Sequence, residues 1–207
     1  MNELGFIPVT IIPIVWIVAA YLIGSIAFGI LVSKLFGLPD PRTVGSGNIG
    51  ATNVARSGKK LPAILTLLGD AFKGWLPVWL ALQSGMLMWV VAWVGLAVFL
   101  GHLFPIFHRF KGGKGVATAL GIMLAISLML GLAALVTWAI VFAISRYSSL
   151  AAIVAAVLSP IYAWLLLPYK DYVMLMFVIA VMLVWRHRTN IQKLLAGTEA
   201  GFGKNKT

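Results

Sequence analysis

Hydrophobic residues occupy most of the chain in long blocks, and polar residues gather in short segments between them. A helix needs about 20 apolar residues to cross a bilayer core of roughly 30 Å. The blocks predict membrane-spanning helices near residues 11–36, 61–82, 87–107, 115–126, 129–145, 150–167 and 172–185. The pattern therefore predicts an all-α integral membrane protein in which residues 1–207 form one polytopic domain.

The number of spans depends on residues 115–145, which form one nearly uninterrupted apolar run. The run is too long for one ordinary span and short for two, and only Ser127 and Gly131 suggest a turn. Lys and Arg accumulate on the cytoplasmic side of membrane proteins. Seven spans with a periplasmic N-terminus place the C-terminus inside and leave only Lys170 in an outer loop. The cations that then lie on the inner side are Lys34, Arg42, Arg56, Lys59, Lys60, Arg109, Lys111, Lys114, Arg146, Arg186, Arg188, Lys193, Lys204 and Lys206. We therefore expect seven spans.

Composition removes several alternatives. Hydrophobic residues make up 61% of the 207 positions and charged residues 10%, with a mean hydropathy of +1.01, which is far from the range of soluble domains. The chain has no cysteine, so disulfides, thiolate metal sites and a cysteinyl acyl-enzyme are excluded. The net charge of +11 indicates cytoplasmic loops at an anionic leaflet rather than a nucleic-acid partner. The first ten residues lack the basic region of a cleavable signal peptide, so we expect the first apolar segment to be retained.

The first polar segment between spans reads GSGNIGATN over residues 45–53 and is followed by Arg56. It matches G-x-G-x-x-G, but no strand precedes it, so a dinucleotide site is not predicted. Its glycines permit a nest of backbone N–H groups, and further donors come from Ser46, Asn48, Thr52, Asn53 and the Arg56 guanidinium. The segment predicts an anion site, with a flexible polar linker as the alternative.

The second segment begins with GHLFP at residues 101–105 and continues as FKGGKGVAT at residues 110–118. It is not a P-loop, because Lys114 is followed by Gly115 rather than Ser or Thr. Two glycines precede Lys114, and the next helix would present its free N–H groups to a phosphate. Basic flanking of a span explains the cations but not the Gly-Gly-Lys-Gly run.

The third segment reads RHRTNIQKL over residues 186–194 and ends in Gly197-Thr198-Glu199. A helix that continues past the membrane would place His187, Asn190 and Ile191 on one face. A juxtamembrane basic helix is the alternative.

Three polar residues within or beside apolar spans have structural interpretations. Asp70 and Lys73 are three residues apart, and because an unpaired charge in a span is expensive, they predict a mutually neutralising pair. His102, near Pro105, is interpreted as a residue that forms a hydrogen bond at the end of a helix.

No two acids on the predicted inner side are close in sequence, so we expect no metal and no cofactor.

Taken in order, GSGNIGATN with Arg56, DAFKG at residues 70–74, GHLFP, FKGGKGVAT, and HRTNI with GTE resemble the bacterial acyl-phosphate glycerol-3-phosphate acyltransferases of the PlsY type. The resemblance extends from about Tyr21 to Glu199. It implies transfer of a fatty acyl group from acyl phosphate to the 1-hydroxyl of sn-glycerol 3-phosphate, giving lysophosphatidic acid and phosphate in the first acylation step of phospholipid synthesis. It also implies a multi-pass protein of the bacterial inner membrane whose active site faces the cytoplasm. Arg109 and Lys193 depart from the residues common in the family.

The resemblance also implies site residues. The catalytic set, which binds glycerol phosphate, is Ser46, Arg56, Lys114, His187 and Asn190. The set around the substrate phosphates is Gly45, Gly47, Asn48, Gly50, Thr52, Asn53, Lys111, Gly112 and Gly113. The supporting set is Asp70, Lys73, His102 and Glu199.

Acyl phosphate is already activated, so the expected chemistry is direct attack by the glycerol hydroxyl, with the leaving phosphate accepting the proton. The rival mechanism uses His187 as the general base.

The alternative function is an organophosphate or anion transporter, which also binds anions at helix N-termini. The expected partners are the two substrates and membrane lipid, with possible contact to the enzyme that supplies acyl phosphate.

Overall fold

The computed structural model describes residues 11–201, in which every regular element is helical. A 3-10 turn at Ile106–His108 lies between the fifth and sixth helices. The helices are α1 Ile11–Gly24, α2 Phe28–Leu35, α3 Ala51–Ala55, α4 Lys60–Gln83, α5 Met88–Leu103, α6 Val116–Ile126, α7 Leu128–Ser145, α8 Ser148–Leu166, α9 Lys170–Arg186 and α10 Arg188–Leu195. The predicted all-α class is confirmed for this part of the chain. The predictions that concern the two termini, including Lys204 and Lys206, lie outside the described residues.

Within residues 11–201, four helices are long and apolar enough to cross a membrane by themselves: α4, α5 with the 3-10 turn, α7 and α8. Two further pairs qualify when each is taken as one bent span, α1 with α2 at 41° and α9 with α10 at 58°. The eleven residues of α6 extend about 16 Å, which is short of a bilayer core of roughly 30 Å. The seventh crossing therefore stays a prediction, although Ser127 separates α6 from α7 where a turn was expected.

The predicted span 11–36 consists of two helices, because the chain leaves the helical path between Gly24 and Phe28. The buried Lys73 Nζ donates to the Ile26 carbonyl oxygen at 2.6 Å, so a carbonyl group released by the break has a partner. Gly24 packs against α5 so closely that a Cβ there would lie 2.2 Å from the Val98 carbonyl oxygen. The break thus depends on α4 and α5, which are distant in sequence.

Helices α4 and α6 approach each other closely because small residues face each other between them. A Cβ at Gly121 would lie 2.0 Å from the Ala71 carbonyl oxygen, and one at Gly74 would lie 2.3 Å from that of Thr118. The Thr118 hydroxyl donates to the Asp70 carbonyl oxygen at 3.1 Å. This contact holds the start of α6, and with it the preceding loop, against the middle of α4.

Candidate active site

The three polar segments meet at one cavity of about 560 Å³. Its lining contains all five residues predicted as catalytic, namely Ser46, Arg56, Lys114, His187 and Asn190. The lining also has an apolar wall made by Leu120 and Met123 of α6, Leu135 and Trp138 of α7, and alanines of α8. A polar end beside an apolar wall suits a molecule that carries both an anionic head group and a hydrocarbon chain.

Lys114 is held by a chain of hydrogen bonds. Its Nζ donates to Asn190 Oδ1, and Asn190 Nδ2 donates to Glu199 Oε1 at 2.7 Å. Because lysine only donates and a carboxylate only accepts, these two bonds define the orientation of the Asn190 amide. Ser149 Oγ also donates to Glu199 Oε1 at 2.7 Å, which ties the C-terminal segment to α8. Glu199 therefore joins Asn190 to α8, and its supporting role stays a prediction.

The surroundings of Lys114 are cationic. Burial lowers the pKa of Lys114 from 10.5 to about 8, and nearby Glu199 opposes this shift, whereas Arg56, Lys193 and Arg186 add to it. The cavity itself is lined by Arg56, Lys114 and Lys193. Arg56 and Lys193 both act electrostatically on Lys114, so the three cations are near one another and favour an anionic ligand beside them.

His187 lies at the bend between α9 and α10 and is buried. Helical structure does continue beyond α9 as α10, but the two helices meet at 58°. His187 and Asn190 nevertheless line the same cavity, as their spacing predicted, whereas Ile191 does not line it. The His187 Nδ1 lies 2.8 Å from the Leu183 carbonyl oxygen. A carbonyl oxygen only accepts, so Nδ1 carries the proton and Nε2 keeps a lone pair.

The loop before α3 is organised by Asn53 rather than being a flexible linker. Asn53 Oδ1 accepts from the Ser46 backbone N–H at 2.9 Å, and Nδ2 donates to the carbonyl oxygens of Pro41 and Val44 at 2.8 and 3.1 Å. Both N–H groups of the amide are thereby used, so Asn53 shapes the loop instead of offering its predicted donors to a phosphate. Gly45 has a φ of +58°, and a Cβ there would lie 2.3 Å from Asn53 Oδ1.

Of the nine residues predicted around the phosphates, five line the cavity: Gly45, Asn48, Gly50, Thr52 and Asn53. Gly47 and Lys111 lie outside the lining, and Lys111 is exposed.

Gly112 and Gly113 also lie outside the lining, for a reason that the sequence did not show. The Gly113 N–H donates to the His102 carbonyl oxygen at 3.1 Å. The carbonyl oxygens of Gly112 and Gly113 accept from Arg186 at 2.7 and 3.0 Å. The glycine pair is therefore a structural part of the loop, and its assignment to the substrate phosphates stays a prediction.

The predicted pair within α4 is confirmed, since Lys73 Nζ lies 2.7 Å from Asp70 Oδ1 and both side chains are buried. His102, in the last turn of α5, places its Nδ1 3.5 Å from the same oxygen. Asp70 and His102 line the cavity, whereas Lys73 points to the break between α1 and α2. The group therefore joins the cavity lining to α4, α5 and the break between α1 and α2.

The sequence did not identify two polar side chains that support the site. Ser149 was not selected, although a pair of serines that opens an apolar helix two residues after Arg146 was a usable signal. Arg186 was treated as a flanking charge, although it belongs to the third motif and contacts the second. Both contacts join segments far apart in the sequence.

The helices and the cavity define a class: a polytopic membrane protein with a cationic site beside an apolar wall. The family model described as glycerol-3-phosphate acyltransferase matches residues 14–197. The chain belongs to this family, whose structurally determined members include PlsY, and it is a multi-pass membrane acyltransferase.

Relatives support the assignment over nearly the whole chain. The glycerol-3-phosphate acyltransferase of Methylobacillus flagellatus is 67% identical over 190 residues, covering 92% of this chain and 97% of its own length. That of Cupriavidus taiwanensis is 58% identical over 192 residues, with 91% and 95% covered.

Two crystal structures of PlsY, described as an integral membrane glycerol 3-phosphate acyltransferase, have the same fold. The glycerol 3-phosphate form superimposes with a TM-score of 0.88 at 42% identity, covering 92% of this chain and 96% of that one. The lysophosphatidic acid form gives 0.87 at 40% identity, with 92% and 95% covered.

Proposed function

We propose that this protein transfers a fatty acyl group from acyl phosphate to the 1-hydroxyl of sn-glycerol 3-phosphate, and so begins phospholipid synthesis. The products are lysophosphatidic acid and inorganic phosphate. The observation that carries the proposal is the shared cavity, in which cations of all three polar segments, Arg56, Lys114 and Lys193, lie beside an apolar wall. Both substrates carry a phosphate, and one also carries a hydrocarbon chain. The relatives described as the glycerol 3-phosphate form and the lysophosphatidic acid form bind molecules of the same chemistry.

Within this proposal, Arg56 and Lys114 neutralise the glycerol phosphate, while Ser46 and Asn190 orient it. Asn48 of the loop and Thr52 of α3, which both line the cavity, bind the acyl phosphate, assisted by the backbone of Gly45 and Gly50. The hydrocarbon chain lies along α6 and α7. Contact with the enzyme that supplies acyl phosphate stays a prediction.

The chemistry proposed is direct attack of the glycerol oxygen on the acyl carbon. A C–O ester bond forms, the bond from the acyl carbon to the phosphate oxygen breaks, and the leaving phosphate takes the hydroxyl proton. Acyl phosphate is a mixed anhydride, so positioning and charge stabilisation provide the acceleration without a covalent enzyme intermediate. The lining acids are already engaged, Asp70 by Lys73 and Glu199 by Asn190 and Ser149.

We expect His187→Ala to raise the KM for glycerol 3-phosphate more than it lowers kcat, because His187 orients the substrate in this mechanism. Steady-state kinetics with each substrate varied in turn give both constants. A large loss of kcat at saturation, together with disappearance of the pH dependence, would instead make His187 Nε2 the general base.

We expect the pH dependence of kcat/KM for glycerol 3-phosphate to show a fall near pH 8. Below that pH Lys114 is a cation that binds phosphate, and above it the neutral amine does not, because burial lowers its pKa from 10.5 to about 8. The charged groups around it are Arg56, Arg186, Lys193 and Glu199, and the neighbouring His187 is neutral in this range. Lys114→Arg should remove the fall, since a guanidinium stays charged throughout this range. A fall that persists in this variant would assign it to another group.

The decisive experiment is an assay in detergent, where no membrane separates two compartments. Purified protein given acyl phosphate and glycerol 3-phosphate is expected to release equal amounts of phosphate and lysophosphatidic acid. A transporter of organophosphates would release neither product. Release of phosphate without lysophosphatidic acid would indicate hydrolysis and would overturn the proposed acceptor.

The proposed topology has seven crossings, with the site on the cytoplasmic side of the inner membrane. The chain has no cysteine, so single cysteines can be introduced without a background. Ser57→Cys and Gln192→Cys are expected to resist impermeant maleimide in intact cells, whereas Ser84→Cys and Lys170→Cys should react. All four positions are exposed. Labelling that places Ser57 and Gln192 on opposite faces would contradict the topology.

A further inference from the structure

Arg186, the last residue of α9, contacts the glycine pair that precedes Lys114. Its Nε donates to the Gly113 carbonyl oxygen at 3.0 Å and its Nη2 to the Gly112 carbonyl oxygen at 2.7 Å. The guanidinium also lies 5.8 Å from the centre of the Phe104 ring. Among residues 11–201 the ion pairs involve only Asp40 and Asp70 as acids, so Arg186 has no carboxylate partner there. Its charge is directed at the backbone of the loop.

The glycine pair is held from the opposite side by His102. The Gly113 N–H donates to the His102 carbonyl oxygen, and a Cβ at Gly112 would lie 2.1 Å from that oxygen. A Cβ at Gly113 would lie 2.3 Å from His102 Nε2. The loop is therefore clamped between α5 and α9 immediately before the residue whose side chain enters the cavity.

The neighbour of Arg186 in the chain is His187, which lines that cavity. One end of α9 thus supplies a cavity residue and, one position earlier, the side chain that holds the loop of Lys114. The hydrogen bonds join residues 73 and 74 positions apart in the sequence. They connect the second motif to the third outside the cavity.

We propose that Arg186 is a positioning residue that fixes Lys114 relative to His187 and Asn190 by bridging the two glycine carbonyls. The proposal rests on the proposed acyltransferase function, because turnover is its main readout. Two adjacent carbonyl oxygens match the fork of a guanidinium, whereas a lysine ammonium presents its donors from a single point. Rapid turnover requires Lys114 to be placed before the substrate arrives, since a displacement of about 1 Å can cost about 100-fold in rate.

The test compares Arg186→Lys with Arg188→Lys in the full-length protein purified in detergent. Both changes keep the charge. Arg188 is the matched control, because it is exposed and its guanidinium lies 4.9 Å from the centre of the Trp185 ring, but it does not contact the loop. Arg186→Lys is expected to lower kcat/KM for glycerol 3-phosphate by about 10- to 100-fold, and Arg188→Lys by less than twofold. The same activity in both variants overturns the proposal.

A second readout separates positioning from a general structural role. When the loop is loosened, Lys114 gains water and its pKa moves back toward 10.5, so the fall in kcat/KM should move to higher pH in Arg186→Lys. The unfolding midpoint should change little. An activity loss with an unchanged pH profile and a large drop in the midpoint overturns the proposal.

A double-mutant cycle then asks whether Arg186 acts through Lys114. In a Lys114→Met background, Arg186→Lys is expected to reduce activity by less than a further twofold, because the group that it positions is gone. If the activity losses of Lys114→Met and Arg186→Lys multiply in the double variant, the two residues act independently and the proposal is overturned.

If neither Arg186→Lys nor Arg186→Gln folds, Arg186 is a folding residue and the proposal also fails. If wild-type protein forms no lysophosphatidic acid, the proposed function fails instead, and glycerol 3-phosphate binding by calorimetry in the same variants still tests Arg186.

Discussion

Lys114→Met is expected to lower kcat/KM for glycerol 3-phosphate by about 100- to 1,000-fold, the loss typical when one preorganised charge-stabilising donor is removed. Methionine keeps the length of the side chain and removes its charge. The change deletes the cation at the start of α6 and leaves Asn190 Oδ1 without its donor. Both consequences weaken the hold on a phosphate that carries about two negative charges. The measurement is steady-state release of phosphate in detergent at pH 7.

Lys111→Met is the matched control, because it removes the same charge three residues earlier in the same loop. Lys111 is exposed and lies outside the cavity lining, so its replacement should change kcat/KM by less than about threefold, the scale of a solvent-screened charge. If both variants lost activity equally, the effect would come from the general field of the basic loop, and the assignment of Lys114 would be wrong.

Asp70→Asn is expected to destabilise the protein by about 3–5 kcal/mol, the usual cost of breaking a buried ion pair. The change keeps the size of the side chain but leaves Lys73 as an unpaired cation in the interior, where it also holds the Ile26 carbonyl. We expect a marked drop in the thermal unfolding midpoint in detergent, followed by circular dichroism at 222 nm.

Asp171→Asn removes a carboxylate of the same type from an exposed position at the start of α9 and should leave the midpoint within about 2 °C of wild type. Asp70→Asn combined with Lys73→Met should recover part of the lost stability, because no unpaired charge then remains. Equal midpoints for the two single variants would show that the buried pair contributes little to the fold.

Helix positions were largely predictable because a membrane span must be a long apolar block, and such blocks can be recognised without knowing what packs against them. The predicted bounds of α4 and of α6 to α9 lie within two residues of those observed. The break between α1 and α2 was not predictable in this way, because its partners, Lys73 and Val98, come from other helices.

The candidate site likewise has features that the sequence predicts and features that only the fold decides. The sequence by itself determined which segments carry anion-binding chemistry, because glycine, asparagine and basic side chains are rare in apolar surroundings and local spacing shows their type. Only the tertiary structure decided which of these groups remain available to a ligand. Asn53 and the glycine pair had been assigned to substrate, yet the Asn53 amide, the Gly113 N–H and both glycine carbonyl oxygens bind the protein's own backbone or Arg186. A hydrogen-bonding group that the fold has already used has little left to offer a ligand, and its partners lie as far as 74 positions away along the chain.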